Sequence, residues 1–241
     1  MQEPAASKNL LGTITGKYKT ILADPPWRFT NSTGKMAPEH RRLGRYRTMT
    51  LPEIKAVPVS EVAAAEAHLY LWVPNALIAE GLEVMKAWGF TYKANIVWHK
   101  VRKDGGPDGR GVGFYFRNVT ELVLFGVRGK LRTGNAGRRQ VNYMATRKRE
   151  HSRKPDELYP IIEACSFVPF LELFARHSRP GWRCWGNEID ESPVSRPNRA
   201  EQAAINPMYL LNPSPAPPST LDCSNVHRSP LQQYAVRSSS R

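Results

Sequence analysis

Residues 18–29 read YKTILADPPWRF, and the fold turns on how this stretch ends. Tyr18 to Ala23 is a short run of β-branched and apolar residues, the pattern of a buried strand, and it stops at Asp24. Strand exits are usually built from Gly, Asn, Asp or Ser, which tolerate many backbone conformations. Here two prolines fix φ at consecutive positions and remove both backbone donors, so the remaining carbonyls are acceptors held in a set direction. A loop this stiff, with an acid on one side and the Trp27 indole on the other, suits a flat ligand that donates hydrogen bonds.

Working outward, LPEIKAVPVSEVAAA reads as short helical pieces broken by Pro58, and AHLYLWV at 67–73 as a second strand. NALIAEGLEVMKAWG reads as an amphipathic helix capped by Asn75, with Leu77, Leu82, Met85 and Trp88 near a helical repeat and Gly89 at its end. TYKANIVWHK and TELVLFGVRG read as strands, KPDELYPIIEACS as a helix, and FLELFAR and WRCWGNE as two further strands. Strands separated by helices imply βαβ units: a Rossmann-like α/β domain with a mostly parallel sheet and helices on both faces. The segmentation is an N-terminal arm over 1–17, a catalytic domain over 18–190, and a Pro/Ser-rich tail over 191–241 that reads as disordered.

The 241 residues are 41% hydrophobic, enough for one substantial core. The formal net charge is +14, which points to a polyanionic partner and first of all to nucleic acid. Three cysteines, Cys165, Cys184 and Cys223, form no C-x-x-C pair and no disulfide framework. Neither a signal-peptide pattern nor a membrane-spanning run is visible, so the expectation is a cytoplasmic, nucleoid-associated protein with no membrane partner.

A sheet of this kind invites a nucleotide ligand, yet no G-x-G-x-x-G fingerprint follows a strand, and there is no Walker lysine motif. No His/Cys cluster has metal-ligand spacing, so no metal is expected. A cofactor without phosphates remains, and S-adenosylmethionine fits.

Seven motifs occur in order: ILADPPW; Y-R-T-M at 46–49 followed by L-P-E-I; LYLWVPN; AWGF-Y with IVWHK; R-N-x-x-E-x-x-L ending at 124 followed by G-V-R-G; KPDELY-x-x-IE; and LELFAR with GW-x-x-WGNE. In these the chain resembles the family named after the catalytic subunit of the eukaryotic mRNA adenosine N6-methyltransferase, which also contains bacterial and phage DNA adenine methyltransferases. The resemblance covers roughly residues 18–190. The catalytic loop preceding the cofactor segment is similar to the permuted order of the β-class enzymes.

The resemblance implies S-adenosylmethionine-dependent methylation of the exocyclic amine of adenine. That amine is a poor nucleophile because its lone pair is delocalised into the ring, so both N–H bonds have to be held while the nitrogen is turned towards the methyl. Asp24 would accept one N–H and the Pro25 carbonyl, aimed by Pro25–Pro26, the other; Trp27 would stack on the purine. The transfer is an in-line displacement governed by orientation, needing neither a covalent intermediate nor a metal. For the cofactor, the resemblance implies Asp24, Lys154 at the start of a helix, Arg176 at the end of LELFAR, and the ribose-binding pair Asn187 and Glu188.

Two basic loops would face the nucleic acid: 34–47, with Arg41, Arg42, Arg45 and Arg47, and 128–154, with Arg132, Arg138, Arg139, Arg147, Lys148 and Arg149. Their places in the sequence put both at the sheet edge that carries the reaction. The short chain favours DNA over RNA by analogy. Three alternatives stay open: an RNA adenosine methyltransferase, a non-catalytic nucleic-acid-binding subunit, and assembly as a homo- or heterodimer.

Overall fold

The strand ending at Asp24 lies near the middle of a seven-stranded sheet. The computed structural model describes residues 10, 12–28, 48–108, 115–147 and 154–186. In chain order the strands are β1 (Tyr18–Ala23), β2 (Ala63–Val73), β3 (Thr91–Val101), β4 (Thr120–Arg128), β5 (Tyr143–Arg147), β6 (Phe170–Leu173) and β7 (Trp182–Trp185). Their order in the sheet is β5-β3-β4-β2-β1-β6-β7. β4 runs antiparallel to both neighbours, and every other pairing is parallel. The helices are α1 (Leu51–Lys55), α2 (Val59–Val62), α3 (Ile78–Ala87) and α4 (Leu158–Cys165).

Side chains alternate across each strand, so the central strands feed two apolar layers. Ile21, Ala23, Leu69, Leu71 and Val73 pack with Ile54 of α1 and with Val84 and Met85 of α3. Leu22, Tyr70, Trp72 and Trp98 pack on the other face with Leu158 and Ile162 of α4. Both faces are covered, which is why β1 and β2 read as near-continuous apolar runs.

Three local expectations change. Asn75 does not cap α3, because a short 3-10 turn, Asn75–Leu77, comes first. Its amide instead donates to the Thr120 carbonyl and hydroxyl, each at 3.1 Å, tying the end of β2 to the start of β4. Leu82 is 39% exposed, whereas Val84, Met85 and Trp88 are buried in the core and Leu77 packs partly buried against it. Segment 128–154, read as one loop, contains the strand β5, because an edge strand obtains its hydrogen bonds from β3 and needs little apolar content of its own.

The helical piece at LPEIK and the helix end at Gly89 hold as expected. α1 carries a capping box, with the Thr50 N–H donating to Glu53 Oε2 at 2.7 Å and the Glu53 N–H to Thr50 Oγ1 at 3.5 Å. After α3 the chain turns at Gly89, whose φ of 83° favours glycine. No helix among the described residues is long and apolar enough to cross a membrane.

Buried polar groups fasten the sheet at the end away from Asp24. His68, fully buried on β2, contacts the Ser166 hydroxyl through Nδ1 at 2.8 Å and the Leu131 carbonyl through Nε2 at 3.2 Å. A carbonyl only accepts, so Nε2 carries the proton and Nδ1 accepts from Ser166. Burial pulls the imidazole pKa below its ordinary value, against the bond to Leu131. The unfolded chain therefore takes up a proton first as pH falls below about 6.5. Burial raises the Glu172 carboxyl to about 7, with opposite sign. A difference measurement separates the two: the stability advantage of the parent over His68→Gln should shrink below pH 6.5 by up to about 1.4 kcal/mol per pH unit. Paired melting curves check this, and an advantage independent of pH would show that His68 does not titrate on unfolding.

Candidate active site

At β1 the strand order turns: β2 lies on one side and β6, much later in the sequence, on the other. The carboxyl ends of strands at such a reversal form the crevice where open α/β sheets bind ligands. Asp24 leaves β1 there. The ends of β3 and β6 and the start of the antiparallel β4 reach the same edge.

An ionic network surrounds Asp24. Lys154 Nζ lies 2.8 Å from Glu121 Oε2 and 3.4 Å from Asp24 Oδ1, with each of the three side chains about a quarter exposed, 26 to 27%. Lys100 binds the other Glu121 oxygen. The two ammonium groups lie over indole faces, Lys154 at 4.7 Å from Trp72 and Lys100 at 5.0 Å from Trp98. Those two rings meet edge-on at 5.7 Å. Burial raises the Asp24 carboxyl above the usual carboxylate range, with Glu121 adding to the rise and Lys154 and Arg176 opposing it. Glu121 also loses hydration, but Lys154 and Lys100 outweigh that loss and hold its carboxyl below its ordinary value. Of the two carboxylates, Asp24 is the one that holds its proton more readily.

The Pro-Pro loop is anchored on both sides. The Pro25 carbonyl accepts from the Trp27 N–H at 2.8 Å, which leaves it one lone pair for a ligand. The Pro26 carbonyl accepts from the Met49 N–H at 2.8 Å, which ties residue 49 to this loop. Trp27 differs from expectation. Its ring is 7% exposed within the core and its indole N–H donates to the Trp72 carbonyl at 2.9 Å, so it anchors the loop and offers no open stacking face.

Lys154 does not begin α4 but stands in the turn before it, where Arg179 pairs with Asp156 at 2.6 Å. Arg176 follows β6 after Phe174, a bulky residue at φ 63° in the left-handed region. Two residues on, Arg176 acts electrostatically on Asp24 and opposes the rise of its pKa. Gly186 ends β7 against this bend, where an added Cβ would stand 2.0 Å from the Ala175 carbonyl. Asn187 and Glu188, which follow it, lie outside the described residues, as do Arg41, Arg42, Arg45, Arg47, Lys148 and Arg149.

The remaining basic residues separate. Because β4 is antiparallel, Arg128 pairs with Ala67 at the opposite edge of the sheet. There the Gly134 N–H donates to the Cys165 carbonyl at the end of α4, so Arg132, Arg138 and Arg139 leave from the end away from Asp24. This corrects the expected placement. β5 then carries the chain back, and Arg147, opposite Val101, reaches the reactive edge.

Sequence reasoning did not assign Glu121, Lys100, Trp72 or Phe174 to the site. The acid of R-N-x-x-E and the lysine of IVWHK were the available signals. Together the crevice offers cations for a carboxylate, in Lys154 and Arg176, and anionic acceptors for amines or a sulfonium, in Asp24 and Glu121. This donor set fits S-adenosylmethionine.

Comparison with known proteins agrees. Residues 18–188 match the MT-A70 family. The chain is 29% identical over 204 residues to the Type II methyltransferase M.MunI of Mycoplasma sp, covering 77% of this chain and 83% of that protein. It is 30% identical over 182 residues to the human N(6)-adenosine-methyltransferase catalytic subunit METTL3, covering 74% of this chain and 29% of that one. A probable N(6)-adenosine-methyltransferase MT-A70-like protein of Oryza sativa is 30% identical over 217 residues, 88% of this chain and 28% of the relative. The chain thus spans less than a third of the rice and human proteins. With the ordered motifs, the sheet reversal at Asp24 and a match across 18–188, the chain belongs to the MT-A70 family.

Proposed function

We propose that the chain transfers the methyl group of S-adenosylmethionine to the exocyclic amine of adenine in nucleic acid, with DNA as the substrate. The Asp24 carboxylate, fixed at the mouth of the switch-point crevice by Lys154, carries this reading. Names of relatives support adenine methylation; the preference for DNA rests on analogy.

Asp24 accepts one N–H of the amine and the free lone pair of the Pro25 carbonyl accepts the other, which turns the nitrogen lone pair out of conjugation and towards the crevice. S-adenosylmethionine, when bound, supplies an electrophilic methyl on a sulfonium. Lys154 orients Asp24 and shares its charge with Glu121. The raised pKa of Asp24 makes it a better acceptor for the proton the amine sheds than an ordinary carboxylate. Arg176, Asn187 and Glu188 are assigned to the cofactor ribose, and residues 18–190 to the catalytic unit, with 1–17 and 191–241 as arm and tail.

Mass spectrometry of nucleosides from DNA and RNA of expressing cells tests the reading. N6-methyladenine in DNA is expected; methylation of RNA alone would favour the RNA alternative, and none in either would reject the function. The separation of the basic residues adds a second expected result. Arg147→Ala should flatten the plot of log affinity against log salt by about 0.9 on duplex DNA, one phosphate contact, while the combined Ala variant of Arg132, Arg138 and Arg139 leaves the slope in place. Equal flattening by both would show that DNA wraps to the far edge.

A further inference from the structure

We propose that Tyr115 and Phe116 form a stacking platform for nucleobases flanking the target adenine. The proposal rests on the nucleic-acid substrate argued above and deepens it. Among the described residues these two are the most exposed large hydrophobic side chains, at 94% and 87%, against at most 68% elsewhere. Two adjacent rings left in water return nothing to the packing of this fold.

Their place is fixed by the strands around them. They lie between β3 and β4, whose facing ends, His99 opposite Thr120, stand at the reactive edge. The Lys100 N–H donates to the Val119 carbonyl at 2.8 Å, and the Asn75 amide reaches Asn118 Oδ1 at 3.5 Å, so the rings project from a held base. Phe116 is five residues from Glu121, a reach of at most about 18 Å. Bases along one strand are about 3.4 Å apart, so those within a few steps of the target come into range.

Charge selects the occupant. Arg117 follows directly and is exposed, and the chain carries +14 overall. Basic groups interleaved with exposed aromatic rings are the make-up of surfaces that bind bases by stacking. A second copy of this chain would bring the same positive charge against it. An enzyme acting on an adenine amine takes that base out of the stack, which leaves neighbouring bases with an uncovered face. Tyr115 and Phe116 supply the replacement surface.

The test compares the full chain with the double variant Tyr115→Ala/Phe116→Ala and the aromatic control Tyr115→Phe/Phe116→Tyr. Binding is read by anisotropy of a fluorescein-labelled oligonucleotide, and stacking by quenching of 2-aminopurine placed beside the target adenine. The double Ala variant should bind about fivefold to a hundredfold more weakly and lose the quenching. Its salt slope and S-adenosylmethionine affinity should stay at parental values, because stacking neutralises no phosphate, and the aromatic control should behave as the parent. Unchanged oligonucleotide affinity, or a loss confined to the sedimentation mass, would overturn the platform and mark the rings as a contact between copies. Because the readout is binding, a parent that binds DNA without methylating it would reject the proposed reaction while still deciding this proposal; a parent that binds no polynucleotide would reject both.

Discussion

Asp24→Asn is expected to lower kcat for methyl transfer by about a hundredfold to a thousandfold, the loss typical of one preorganised polar contact to a reacting group. The exchange preserves shape but leaves a weaker acceptor, and the new amide competes as a donor. Stability should move the other way or not at all. Burial raises the Asp24 pKa in the folded protein, so the ionised carboxylate is held at a cost that is present above its folded pKa and vanishes as pH falls through it. A neutral Asn carries no such cost, and Lys154 keeps Glu121 as its partner at 2.8 Å. The expected Tm near pH 7 is therefore equal to or above the parent's. Single-turnover kinetics with labelled cofactor, beside calorimetric melting, checks both halves. Near-parental turnover would remove Asp24 from the reaction, and a large drop in Tm would make it a structural residue.

Lys154→Ala should have the next largest effect, acting at two places. With the ammonium assigned by proposal to the carboxylate of S-adenosylmethionine, its loss should weaken cofactor binding by roughly 1.5 to 3 kcal/mol, the range for a hydrogen bond to a charged group. It also holds Asp24 and Glu121 in their ionised forms. Without it both carboxyl pKa values rise. In the proposed reaction Asp24 acts ionised and activity is lost as pH falls through its pKa, so the acid limb of the pH–rate profile should move to higher pH. Glu121 should move less, since Lys100 remains bound to it. Titration calorimetry gives the first quantity and a profile of kcat against pH the second. Unchanged cofactor affinity would take Lys154 out of the binding face, and an unmoved acid limb would uncouple it from Asp24.

The sequence by itself determined the alternation of elements and the position of the acid. An apolar run long enough for one strand, ended by Asp and two prolines, has few ways to fold, and β1 stops at Ala23 as read. The helix end at Gly89 is likewise local, which is why it follows from a few neighbouring residues. Motif order across 18–190 was enough to identify the family. The surroundings of Asp24 were not legible, because Glu121, Lys100 and Lys154 meet it only after four strands, β1, β2, β4 and β3, pair and the turn carrying Lys154 docks over them. Trp27 illustrates the same limit: its indole N–H meets the Trp72 carbonyl only once β1 and β2 lie side by side. β5 was invisible for a related reason, since its hydrogen bonds belong to β3. Strand direction mattered most. One antiparallel strand, β4, sends Arg132, Arg138 and Arg139 away from the reaction and leaves Arg147 to return on β5. Residue types record local preference and charge, while direction and partnership are set by hydrogen bonds between segments far apart in the chain.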